Sequence, residues 1–130
     1  MIVDSSAVVA ILWNEPDARV FATALDGAPT RRMSAGTYIE LGIVIDARRN
    51  VLASRRFDEF LEEATISIEQ VSNRQAHIAR EAYRDFGKGS RHPAQLNFGD
   101  CFAYALAKEL REPLLFKGDD FGRTDVSPAI

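Results

Sequence analysis

Met1-Ile2-Val3-Asp4-Ser5-Ser6-Ala7-Val8-Val9-Ala10-Ile11-Leu12-Trp13 opens the chain with a short apolar run, a polar turn and a longer apolar run. Residues 1–3 read as a buried strand, Asp4-Ser5-Ser6 as the turn, and Ala7 to Trp13 as a helix, which begins an α/β pattern. Working outward, Glu15-Pro16-Asp17 ends that helix and starts another through about Leu25, because proline suits a first helical turn. Gly27 to Pro29 closes it. Arg32 to Ala35 reads as a second strand, weak by propensity, leading into a helix from about Thr37 to Asn50. Phe57, Phe60, Leu61 and Ala64 follow the i, i+3, i+4, i+7 spacing of an amphipathic helix between Ser54 and Thr65. Ile66, Ile68 and Val71 suggest a third strand, and Ala76, Ala79, Ala82, Tyr83 and Phe86 form a second helical stripe. Gly87 to Pro93 reads as a flexible basic loop. Asn97 to Leu110 is helical and apolar on most faces, as suits a centrally packed helix, and Pro113 to Phe116 is a last buried strand. This alternation predicts an α/β fold, a three-layer α/β/α sandwich around a mostly parallel sheet.

The 130 residues fit one domain spanning 1–130, and 46% apolar with 27% charged residues is the balance of an ordinary folded protein. No apolar run is long enough to span a membrane and no secretory signal is visible, so residence in the cytoplasm is expected. One cysteine, Cys101, excludes an internal disulfide and a thiolate zinc cluster, and His77 and His92 are the only imidazoles. A metal here would be held by oxygen, which favours Mg²⁺, with Mn²⁺ possible. A net charge of −3 leaves nucleic-acid binding to local basic clusters.

In open parallel sheets, ligands bind at the carboxyl ends of the strands near a switch in strand order. Asp4 follows the first strand, Glu40 lies early in the helix after the second, Asp100 begins the long helix, and Asp119-Asp120 follow the last strand. Such carboxylates repel one another unless a divalent cation lies between them. Capping is the alternative for each acid taken singly: Thr37-Tyr38-Ile39-Glu40 and Asn97-Phe98-Gly99-Asp100 both have the form of a capping box, and Asp4 suits a helix start.

Val3-Asp4-Ser5-Ser6-Ala7, Glu40, Leu96-Asn97-Phe98-Gly99-Asp100-Cys101 and Leu114-Leu115-Phe116-Lys117-Gly118-Asp119-Asp120-Phe121 together resemble the PIN-domain ribonucleases of the VapC toxin type, over essentially the whole chain. The resemblance implies that Asp4 and Asp100 are the principal metal ligands, completed by Glu40 and by one of Asp119 and Asp120. It also implies Mg²⁺-dependent hydrolysis of RNA to a 3′-hydroxyl and a 5′-phosphate, a homodimer, and neutralisation by a VapB-like antitoxin. Ser5 or Ser6 would orient Asp4 through a hydrogen bond.

Arg31-Arg32, Arg48-Arg49, Arg55-Arg56, the loop from Lys88 to His92, and Lys117 are the basic clusters available to RNA phosphates. Lys88, Arg91 and His92 are the preferred contacts, since their loop directly precedes the Asp100 helix. Cys101 and His77 read as structural. The competing function is a phospho-acceptor receiver-like signalling module, which matches in length and in Lys117 after a late strand. It requires an acidic pair after the first strand and an acceptor Asp after the third, and this chain has neither.

Overall fold

The computed structural model describes residues 1–130. Four strands, β1 (Ile2–Val3), β2 (Arg32–Ser34), β3 (Ser67–Glu69) and β4 (Leu114–Leu115), form one sheet of order β3-β2-β1-β4. Every pairing is parallel, with Ile2 opposite both Arg32 and Leu114, Val3 opposite Leu115, and Met33 opposite Ile68. From β1 the chain moves outward to β2 and β3, then returns to place β4 on the other side of β1. The switch point therefore lies between β1 and β4, and open sheets of this kind hold their ligands at the carboxyl ends of the strands there.

Six helices cover the sheet: α1 (Ser5–Leu12), α2 (Ala18–Gly27), α3 (Ala35–Asp46), α4 (Val51–Glu63), α5 (Asn73–Phe86) and α6 (Asp100–Leu110). Alternation along each two-residue strand divides the core. Val3 and Leu115 face a cluster with Ala7, Val8, Phe21, Leu25, Leu41 and Phe57 from α1 to α4. Ile2 and Leu114 face the opposite cluster, with Ala82 of α5 and Ala103, Tyr104 and Leu106 of α6. The result is the expected α/β/α sandwich. Ile2, Val3, Leu114 and Leu115 are fully buried, and each such side chain contributes roughly 1.5–3 kcal/mol of transfer free energy. No helix is long and apolar enough to cross a membrane.

Several boundaries differ from the sequence reading. The helix expected from Thr37 to Asn50 is α3, which starts two residues earlier and ends at Asp46, and Asn50 is the cap of the next helix. Ser34, the last residue of β2, caps α3 by accepting from the Gly36 N–H at 3.3 Å. Thr37 thus lies inside the helix, fully buried with its hydroxyl unpartnered, and the capping box proposed for Thr37 and Glu40 does not form. Arg49 adopts a left-handed φ of 52°, and Asn50 Oδ1 then accepts from the Leu52 and Ala53 N–H groups to start α4. The basic loop is tied at its base: Lys88 N–H donates to Leu96 O and Leu96 N–H to Phe86 O, both at 2.9 Å.

Candidate active site

Asp4 follows β1 and caps α1, and its side chain is nearly fully buried. Its Oδ2 accepts from Ser6 twice, from the N–H at 2.9 Å and from the hydroxyl at 2.6 Å. Ser6 Oγ in turn accepts the Lys117 N–H at 2.9 Å. A backbone N–H only donates, so the hydroxyl proton must point to Asp4. Ser6 thereby keys the end of β4 to the acid at the end of β1, and of the two serines considered it is Ser6 whose side chain orients Asp4.

Asp100 opens α6. Its Oδ2 accepts from the Asn97 N–H at 2.8 Å while Asn97 Oδ1 accepts from the Asp100 N–H at 2.9 Å, so this capping pair does form. Capping uses one carboxylate oxygen and leaves the other free. The Asp100 carboxyl is pushed up to about 6 by burial, against the Asn97 hydrogen bond, with further upward pressure from the charges of Asp4, Asp120 and Glu40. Glu40, on α3, is raised by burial and then by the Asp4 charge. Asp4 is raised by its burial, which outweighs the opposing Ser6 hydrogen bonds. These four acids share one electrostatic field, and none takes part in the ion pairs of the fold. Asp119 is not among the charges that raise Asp100, and Asp120 is.

The glycines shape this crevice. A Cβ on Gly99 would lie 2.0 Å from Glu40 Oε2 and 2.2 Å from Oε1, so the Glu40 carboxylate rests on the Gly99 backbone. Gly36 similarly makes room for the Phe102 ring, against which the largely exposed Phe98 packs edge-on at 5.1 Å. Phe98 and Phe102 wall an apolar groove whose other side is Ala76, Ala79 and Tyr83 of α5. The turn after β4 depends on Gly118, at φ 102°, a conformation that L side chains rarely adopt.

The structure sorts the basic clusters. Lys117 Nζ is held by Asp17 at 2.8 Å and by Glu15, acids that the sequence reading assigned only to a helix break. Arg31 donates to the Ala64 and Asp26 carbonyls, and Arg32 bridges Glu69 and Glu112. Arg48 lies over the Trp13 ring at 4.0 Å. These side chains hold the fold together. Lys88 and Arg91 are exposed and outside every ion pair, whereas His92 is half-buried, packs on Phe86, and spends Nδ1 accepting the Ala94 N–H. Cys101 Sγ donates to Asn97 O, and burial pushes its thiol up to about 11, which fits a core position.

The PIN domain family model matches residues 1–127. The chain belongs to the PIN-domain family. Within it, the chain is 57% identical over 130 residues to Ribonuclease VapC28 of Mycobacterium tuberculosis, covering 100% of this chain and 98% of that protein. It is 49% identical over 127 residues to Ribonuclease VapC of Mycolicibacterium smegmatis, with 98% of each covered. The fold is also that of M. tuberculosis VapC20, described as a sarcin-ricin loop cleaving toxin, at a TM-score of 0.75, 16% identity, and coverage of 96% and 95%. A toxin–antitoxin complex from Klebsiella pneumoniae contains a chain alike at a TM-score of 0.68 and 19% identity, covering 92% of this PIN domain's chain and 88% of that one.

Proposed function

We propose that this PIN-domain protein is the toxin of a toxin–antitoxin pair, a Mg²⁺-dependent endoribonuclease acting in the cytoplasm, with Mn²⁺ able to substitute. One observation carries the reading: Asp4, Glu40, Asp100 and Asp120 share a field at the switch point of a parallel sheet with no cation among them. The relatives named as VapC ribonucleases supply the substrate class.

The donor set suits a hard divalent ion, being entirely carboxylate and lacking any basic partner. No three acidic, histidine or cysteine side chains are already gathered as ligands around one point, so the acids would draw together to close on an ion. The Oδ1 atoms of Asp4 and Asp100 carry no hydrogen bond within the fold and are the first candidates for ligation. A bound Mg²⁺ would supply charge to the scissile phosphate and lower the pKa of an attacking water. Ser6 fixes the Asp4 carboxylate and Asn97 fixes that of Asp100, so neither must be ordered when substrate arrives. Lys88 and Arg91 would meet RNA phosphates, with single-stranded loops of structured RNA as the substrate class. The His92 imidazole supports its loop.

The same charge cluster supports neutralisation by a VapB-like antitoxin that places an arginine among the acids. A guanidinium can satisfy two carboxylate oxygens and occupy the volume that the ion needs. We place the active protein in a homodimer on the family resemblance. The test is cleavage of a structured RNA with and without Mg²⁺, with the ends mapped, for wild type, Asp4→Asn and Asp100→Asn. Metal-dependent cuts leaving 5′-phosphates, lost in both variants, are expected; equal cleavage by the variants contradicts the assignment.

A further inference from the structure

Gly99 has φ −63° and ψ −40°, a helical conformation that any L residue adopts. Its backbone therefore does not demand glycine, unlike Gly89 and Gly118, which sit at φ 90° and 102°. Space does. The three atoms nearest its missing Cβ all belong to the Glu40 carboxylate, within 2.0 to 2.3 Å. Glu40 comes from α3 and Gly99 immediately precedes Asp100, so this one gap sets how closely two of the acids approach across separate helices.

We propose that Gly99 is a positioning residue: the absent Cβ is the seat that holds the Glu40 carboxylate beside Asp100. The proposal rests on reading the acids as a metal site. Any side chain at residue 99 displaces that carboxylate, and because the displaced group is the far end of a flexible side chain, it swings aside while the fold is kept. Alanine is also the better residue on helical backbone. The loss falls on the site.

The test is Gly99→Ala, with Gly99→Ser as a second variant, each followed by melting temperature, Mn²⁺ calorimetry, steady-state cleavage and a metal-free crystal structure. Unchanged or raised melting temperature is expected, together with Mn²⁺ affinity weakened about 10-fold or more, lower kcat at unchanged KM for RNA, and a Glu40 carboxylate moved away from Asp100. Shortening the acid relieves the clash, so Gly99→Ala should cost far less in a Glu40→Asp background than in wild type, a non-additivity that residues in contact show. A Glu40 carboxylate that stays in place, wild-type Mn²⁺ affinity, or equal losses in both backgrounds would overturn the proposal. A wild-type protein that binds no Mn²⁺ would instead sink the metal-site reading, and the crystal structure of the variant would still decide the role of Gly99.

Discussion

Replacing Asp100 with Asn is expected to make the metal-free protein more stable while abolishing its chemistry. The fold holds this carboxyl at about 6, against an ordinary 3.8. Well below pH 3.8 the group is protonated in both folded and unfolded chains and has no effect. Between about pH 4 and 6 the unfolded chain has released its proton while the folded chain still holds it, so stability falls as pH rises across that window, and above about 6 the loss is complete. The full shift corresponds to about 3 kcal/mol, and solvent screening on the open side of the crevice reduces it to roughly 1–2 kcal/mol. Asn keeps an oxygen for the Asn97 N–H, so the cap survives. For a chain of this size, thermal unfolding in EDTA should give Asp100→Asn a melting temperature roughly 3–10 °C above wild type at pH 7.5, with the difference vanishing well below the ordinary value of 3.8. Adding Mg²⁺ should raise wild type alone, and cleavage by the variant should fall about 100-fold or more. A variant less stable than wild type at pH 7.5 would show that the charge serves the fold, and the reasoning from burial of the carboxyl beside other acids would fail.

Ser6→Ala removes the hydroxyl between Lys117 and Asp4. It should cost about 1–3 kcal/mol, by stranding a polar partner, and slow cleavage roughly 10-fold or more; a rate equal to wild type would deny it any part in orienting Asp4. Glu40→Gln should lower cleavage without lowering the melting temperature, since Ser34 and not Glu40 caps α3, and a drop in stability with intact turnover would reverse that assignment. Tyr104→Phe deletes a 2.6 Å hydrogen bond to Asp125, on the side of the sheet away from α1 to α4. A loss of about 1 kcal/mol is expected, with turnover per folded molecule unchanged, and this variant serves as the control for stability effects.

Where one physical signal dominated, the sequence reading and the structure agree. The apolar stripe of α5 and the nearly all-round apolar character of α6 reflect their burial against each other and the sheet. The reading erred where two signals competed. Ile39, Ile43 and Val44 of α3 are exposed, which blurs the helical stripe, and the break at Arg49 depends on a left-handed residue that is not glycine. Lys117 looked free because its partners, Glu15 and Asp17, lie about a hundred residues earlier in the chain and meet it only through the β1–β4 pairing. That the charge of Asp120 and not of Asp119 reaches Asp100 depends on the turn that Gly118 makes. The seat on Gly99 had a visible trace, a glycine beside an acid at a helix start, but only the approach of α3 reveals what fills it.

The β3-β2-β1-β4 order also sets a timetable for synthesis. The ribosome delivers β1, β2 and β3 early, but the acids at residues 4 and 120 come together only when β4, made last, docks beside the first strand. Such long-range parallel pairing is slow, because loop closure must precede its reward. A nascent chain therefore carries the pieces of the crevice without its geometry, and the period between translation and closure of β4 is one in which the protein exists without its chemistry.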